Sequence, residues 1–254
     1  MQLEFNGQVP PNETIEKKLA DLDLGEIIIQ PTGEKGVILK LKHVDEPTHQ
    51  EILKKLEDAK EQSFEAIGPT IGKEMTNKTK IAIIIALLAI ASYVAFAFRR
   101  LSHPAKSWQY GISTLVALFH DVLIPLGVFA ILGKLYNIEI DIPFIAALLT
   151  ILGFSVHDTI VVFDRIRENL LKRTSMSFEE SINRSLNQTL VRSINTVLTV
   201  LFTLFALYFF GGETLKYFAL ALIVGIISGA YSSIFIASPL IFSWVGWQEK
   251  KRRR

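Results

Sequence analysis

The chain has 254 residues, half of them hydrophobic, with 27 basic against 25 acidic side chains and no cysteine. That balance is too apolar for an ordinary soluble domain, excludes disulfides and thiolate-held metals, and leaves a net charge of only +2 to attract nucleic acid. The apolarity is uneven: residues 1–80 hold 15 acidic and 11 basic side chains, and five long apolar runs follow.

In the hydrophilic part, residues 1–5 alternate as a strand. Asn12, followed by Glu13 and Glu16, is an N-cap-like start for a helix to about Leu22. Residues 26–30 and 37–42 are β-branched runs joined through Pro31, Gly33 and Gly36 as a hairpin. Pro47 or Thr48 opens a second helix to about Gln62, with Ile52, Leu53, Leu56 and Ala59 on one face. Residues 63–67 read as a last strand. The order β-α-β-β-α-β predicts a small α+β domain over residues 1–77 with the ferredoxin-like, split-βαβ arrangement. It carries no phosphate loop, triad or metal-ligand spacing, and His43 and His49 read as isolated, solvated side chains. An interaction module is expected.

Residues 78–246 predict a transmembrane bundle with spans near 81–98, 110–132, 143–163, 191–210 and 215–245. Each is close to, or longer than, the about 20 apolar residues that cross a bilayer, and the last is long enough to tilt. Arg99, Arg100 and Lys106 follow the first span. Arg165, Arg167, Lys172, Arg173 and Arg184 follow the third, and Lys250 to Arg254 the fifth, whereas the other two loops hold only Lys134 and Lys216. The alternation puts the loop 164–190 and the basic tail 247–254 in the cytoplasm and residues 1–77 outside it. An external domain needs a preceding apolar helix, so a sixth, N-terminal span before Met1 is expected. In the 164–190 loop, Phe178, Ile182, Leu186 and Leu190 recur at helical spacing, as in a surface-lying or coupling helix.

Asp121, Asp158 and Arg192 lie inside or at the rim of these spans. A charge at bilayer depth costs roughly 2.5–3.5 kcal/mol even on the lenient insertion scale, which makes each a functional candidate. Asp158 has Ser155 three residues back and Thr159 beside it as expected hydroxyl donors, and Arg192 on the antiparallel fourth span as expected counter-ion. Arg192, Asn195, Thr196, Thr199 and Thr203 form one face of that span, directed at protein or a wet cavity, with helix–helix adhesion as the competing reading for the threonines. Asp121, beside His120, is either a second proton site or a cap for backbone freed by Pro125. His157 adjoins Asp158 but points some 100° around the helix. Gly225, Gly229, Ser232 and Ser233 form a small-residue packing face.

The stretch Gly153-Phe-Ser-Val-His-Asp-Thr-Ile-Val-Val-Phe-Asp-Arg-Ile-Arg-Glu-Asn169 resembles the signature of the SecF family, the smaller subunit of the bacterial SecD–SecF export complex. Ala117-Leu-Phe-His-Asp121, Thr189-Leu-Val-Arg-Ser-Ile-Asn-Thr196 and Ile67-Gly-Pro-Thr-Ile-Gly72 fit the same family. The resemblance implies the resistance–nodulation–division fold, with SecD, the SecYEG channel and a translocating unfolded polypeptide as partners, in the bacterial cytoplasmic membrane. It also implies proton-motive force as the drive, with Asp158 and Arg192 at the proton-transport positions and Asp121 and His157 as secondary candidates. No cofactor is implied beyond the coupling ion, H+ or Na+. His157 stands where the family pattern has Asn, and the family's first helix with its Asp-Phe-x-Gly-Gly-type stretch has no counterpart here. The competing readings are a small-molecule or lipid exporter of the same superfamily, a passive assembly factor, and an intramembrane protease using Asp121 and Asp158 as a dyad. An enzyme is not expected.

Overall fold

The computed structural model describes residues 1–25, 27–32, 35–64, 69–99, 104–136, 138, 140–172 and 176–252. Glu26, the hairpin tip at Gly33, residues 65–67 of the last expected strand, Ile67 and Gly68 of the quoted motif, Arg100, Arg173, Arg253 and Arg254 lie outside the described residues. The chain divides into two compact units, Met1–Thr79 and Lys80–Arg254.

The first unit runs β1 (Gln2–Phe5), α1 (Asn12–Leu19), β2 (Ile28–Thr32), β3 (Gly36–Lys40), α2 (Glu46–Lys55) and β4 (Ala59–Ser63). The strands form one antiparallel sheet in the order β2-β3-β1-β4. Pro31 is tolerated because β2 is an edge strand, where a missing ladder donor leaves no neighbour unpaired. The alternating side chains of β1 and β3 send Leu3, Phe5, Val37 and Leu39 into a core with Ile15 and Leu19 of α1 and Ile52 of α2.

Three local expectations change. Asn12 is the first helical residue and Pro11 the cap position, without a side-chain cap bond, and α1 stops at Leu19. The second helix begins one or two residues early, at Glu46, capped by Asp45, whose Oδ1 accepts from the Thr48 amide at 3.2 Å, and it ends at Lys55. Leu56 leaves the helical region (φ −109°, ψ 48°), so residues 59–62 are strand, not helix. Ala-Lys-Glu-Gln-Ser has little β preference; pairing with β1 overrides its local propensity.

The second unit is built on α3 (Pro69–Ala97), α4 (Ser107–Tyr136), α5 (Ile142–Leu171), α6 (Phe178–Phe210), α7 (Glu213–Ser232), a π-helical turn (Ser233–Ala237) and α8 (Ser238–Arg252). Five stretches are long and apolar enough to cross a membrane: Asn77–Ala97, Ser107–Tyr136, Ile142–Leu171, Phe178–Phe210 and Leu215–Gln248. The loop expected over residues 164–190 is mostly helix. Asp164 to Leu171 complete α5, and residues 178–190 are the first turns of α6 rather than a separate surface helix, with Ile182 buried against Phe163 and Ile166. Ser177 starts α6 with a capping box: its Oγ accepts from the Glu180 amide at 3.2 Å, and Glu180 accepts from the Ser177 amide at 2.8 Å. Gly212, at φ +79°, makes the tight turn into α7. The π turn has a cause in Pro239, which lacks an N–H and would collide with the carbonyl four residues back; Ser238 Oγ donates to the Ser233 carbonyl five residues back instead, at 3.1 Å.

The bundle holds two apolar clusters. One gathers Phe98, Tyr110, Ala117, Val162, Phe163 and Ile241. The other gathers Phe129, Phe144, Ile151, Leu201, Leu204 and Ile226. Each of α4, α5, α6 and the α7–α8 span passes from one cluster to the other, and between them each contributes a buried polar side chain.

Candidate functional site

That interval is a buried polar layer. α5 supplies its centre because one helical face, Ile151, Ser155, Asp158, Thr159 and Val162, follows the three- and four-residue spacing of a packed helix. α4 adds Asp121, α6 adds Ser193, and α7 with the π turn adds Ser228, Ser232 and Ser233, all buried.

Asp121 is wholly buried. Its Oδ2 accepts from Ser232 Oγ at 2.7 Å and from Ser155 Oγ, and its Oδ1 accepts from Ser228 Oγ at 3.3 Å. His120 Nδ1 lies 3.1 Å from Oδ1. Two carboxylate oxygens offer about four lone-pair sites, so these neighbours fill Asp121's accepting capacity. Three helices are tied to one anion. The close approach of α7 that permits this depends on Gly229, where an added Cβ would stand 3.0 Å from Ser155 Cβ.

Asp158 is 6% exposed and differently served. Ser193 Oγ donates to Oδ1 at 2.7 Å, whereas Oδ2 is buried with no hydrogen-bond partner. A buried acceptor left unpaired is uncommon in native proteins and costs free energy. Neither expected hydroxyl serves Asp158: Ser155 donates to Asp121, and Thr159 Oγ1 pairs with Ser233 Oγ at 2.9 Å. The sequence missed Ser193, Ser228 and Ser232 because serine is common on helix faces and its targets lie 35, 107 and 111 residues away.

Arg192 is exposed on this chain and makes no ion pair with Asp158 among the described residues. Asn195, Thr196, Thr199 and Thr203 are exposed as well, so the stripe does not face this chain's own interior. Its physical reason is the opposite row of α6, where Ser185, Thr189, Ser193, Val197, Leu201 and Leu204 turn inward. Thr196, Thr199 and Thr203 satisfy themselves on the carbonyls of Arg192, Thr196 and Thr199 at 2.9, 2.8 and 3.3 Å. Among the described residues Arg192 and Asn195 make no such bond. His157 is exposed.

The dyad geometry required of an aspartyl protease is not formed: each carboxylate is bound to its own serines, and no hydrogen bond joins Asp121 to Asp158 among the described residues. Asp121's side chain is also not spent on backbone freed by Pro125. Among the described residues no group of three or more His, Cys, Asp or Glu could hold a metal.

His49, expected to be solvated, is 5% exposed in the first unit. Its ring nitrogens meet Glu46 of α2 and Glu61 of β4, and Glu61 lies on a strand where the apolar spacing predicts helix.

Residues 48–247 match the family model for the protein export membrane protein SecD/SecF, C-terminal region. The chain is 49% identical over 91% of its length to the protein translocase subunit SecF of Thermobaculum terrenum, covering 77% of that protein. It is 44% identical over 75% of its length to the protein translocase subunit SecDF of Thermus thermophilus, covering 24% of it. A crystal structure of SecDF, a translocon-associated membrane protein from Thermus thermophilus, superposes with a TM-score of 0.79 at 36% identity over 96% of this chain. The chain spans 33% of that longer polypeptide. These matches, with five membrane-length helices, make it a multi-pass membrane protein that belongs to the SecD/SecF family of protein-export membrane proteins, on the SecF side.

Proposed function

We propose that this chain is the SecF subunit of a Sec translocase accessory complex that uses the proton-motive force to draw polypeptides out of the cytoplasm. The observation that carries the reading is Asp158: a carboxylate buried within a membrane helix bundle, one oxygen held by Ser193 and the other free. The free Oδ2 takes the proton. Protonation turns a charge-assisted Ser193 bond into a neutral one of roughly half the strength. Because Arg192 neighbours Ser193, a change at that bond alters the seating of α6 and the position of the guanidinium. A proton crossing the full potential releases about 2.3 kcal/mol per 100 mV, enough to bias two helix arrangements that differ in which side has access. H+ is the coupling ion on this reading, and Na+ the alternative for the same carboxylate.

The exposed Arg192 and Asn195 face a second bundle, that of SecD, with SecYEG delivering the unfolded chain. The SecDF relative, in which the two names share one polypeptide, supports that partner. The basic clusters orient the tail inward and the first unit, a ferredoxin-like module by its strand order, outside the cytoplasm. Asp121, its acceptor capacity already filled, is assigned a structural role, and His157 no step. The test is proton-driven export in vesicles holding this chain with its SecD and SecYEG. Asp158→Asn is expected to abolish the proton-dependent part, with ATP-driven export and assembly intact. Full proton dependence in that variant overturns the reading.

A further inference from the structure

We propose that His49 is a proton-binding latch of the Met1–Thr79 unit, whose doubly protonated ring clamps the first turn of α2 to β4. The ring is 5% exposed, between two carboxylates on different elements. Nε2 lies 2.9 Å from Glu61 Oε1 on β4, and Nδ1 lies 3.4 Å from Glu46 Oε2 on α2. The ring also stacks on Phe64, with centroids 3.9 Å apart and planes 7° from parallel.

The inventory of donors sets which contacts each form of the ring can make. A neutral imidazole has one N–H and one acceptor nitrogen, and an ionised carboxylate only accepts. A neutral His49 can therefore serve one glutamate, leaving its second nitrogen lone pair against the other carboxylate's oxygens. Both contacts are favourable together only when both ring nitrogens carry protons. Glu46 is held below the usual carboxylate range, first by Gln50 Nε2 donating at 2.7 Å and then by His49, so it remains an acceptor through the range where histidine titrates.

Glu61 is placed to reach the ring by register. It pairs with Leu3 of β1, a core residue, so its side chain projects from the face of the sheet that the helices cover. A carboxylate there, its side chain 26% exposed, is partly shielded from water, and among the described residues its ion pair is the one with His49. The neighbouring charges are otherwise engaged. Asp45 accepts from Thr48, and the Lys55–Asp21 ion pair that links α2 to the turn after α1 sits at the far end of α2. Loss of the proton costs one of the two contacts and the ring's charge. The neutral ring keeps its 2.9 Å bond to Glu61 and gives up the longer one to Glu46 within α2, so the tie from α2 to the strand that precedes Phe64 loosens as it loses its positive charge. The latch stands on this geometry alone. The export reading adds only which side of the membrane it samples.

The experiment uses the full chain in detergent micelles with its histidines labelled on the ring nitrogens, His49 being assigned by its loss in His49→Gln. At pH about 5.5 both ring nitrogens of His49 are expected to be protonated, and at pH about 8 only one, spanning the range where histidine titrates. Amides of β4 are expected to exchange more slowly at the lower pH, on the order of tenfold after correction for chemical exchange rates, the size of one charge-assisted bond. Because His49→Gln removes a buried, stacked ring, Glu61→Gln carries the test: it keeps the shape, removes the charge, and is expected to abolish most of the tenfold difference while the His120 and His157 signals stay in place. Equal protection at both pH values, a singly protonated ring throughout, or undiminished pH dependence in Glu61→Gln overturns the proposal. A titrating latch beside failed proton-driven export overturns the functional reading alone.

Discussion

Two intramembrane aspartates of the same chemistry are separated by their hydrogen bonds. Asp121 accepts from three serines on two helices, whereas Asp158 has one serine and a bare oxygen. Asp121→Ala would strand the Ser155 and Ser228 hydroxyls, Ser232 keeping the Gly229 carbonyl at 3.1 Å, and is expected to lower the thermal midpoint, costing about 1–3 kcal/mol, with export falling only as the folded fraction falls. Asp121→Asn, which keeps one acceptor oxygen, should cost less. Ser193→Ala is expected to differ: it takes from buried Asp158 its one hydrogen-bond donor among the described residues, costing about 1–3 kcal/mol as well, but the proton dependence of export shifts beyond what the folded fraction explains. Ser193→Thr, which keeps the hydroxyl, should restore it; parallel melting and vesicle-export curves separate the two cases. The aspartates were legible because charge at bilayer depth is conspicuous. Their serines were not, because a hydroxyl on a helix face has no sequence mark distinguishing a cross-helix donor from one bonded to its own backbone, as Thr196 and Thr203 are.

At the scale of elements, α7 owes its seat against α5 to the absence of side chains. A Cβ at Gly225 would overlap the buried, β-branched Ile151. Gly225→Ala is expected to cost about 1–3 kcal/mol through overpacking, and Ile151→Ala in the same chain to recover part of that, so that a double-mutant cycle on thermal midpoints gives a non-additive, favourable coupling. In the first unit, α2 begins on Asp45, whose carboxyl is held below its usual range by the Thr48 hydroxyl and amide. A depressed folded value means that the cap's contribution is complete above the unfolded carboxylate's value, about 3.9, and is lost as pH falls through the lower folded one. Asp45→Asn should therefore flatten the acid limb of the unit's stability curve, measured by circular dichroism, without moving its neutral plateau appreciably. The sequence placed α2 correctly in its middle and failed at its end. Leu56 and Ala59 continue the apolar spacing past the helix, and nothing local announces that residues 59–63 are needed beside β1.

For the molecule, hydropathy alone marked the division into a hydrated unit and five long helices, because bilayer thickness imposes a length that few other constraints mimic. It could not orient α6. A polar stripe beside an aliphatic row is expected to face protein or a wet cavity, on the premise that lipid rejects polar groups, and that premise does not say which protein surface. The chain buries Val197, Leu201 and Leu204 and turns the stripe out, where its threonines are self-satisfied and, among the described residues, Arg192 and Asn195 make no hydrogen bond. A membrane makes that arrangement sensible only if another protein surface completes it, which separates two substitutions one turn apart. Asn195→Leu removes an unpaired amide and should lower co-purification with a SecD-like subunit about threefold, the equivalent of one average interhelical hydrogen bond. Thr199→Val removes a hydroxyl already bonded to Thr196 and should leave co-purification unchanged. Equal losses from both would mean that the face binds by shape alone, and an unaffected Asn195→Leu would mean that it meets lipid after all.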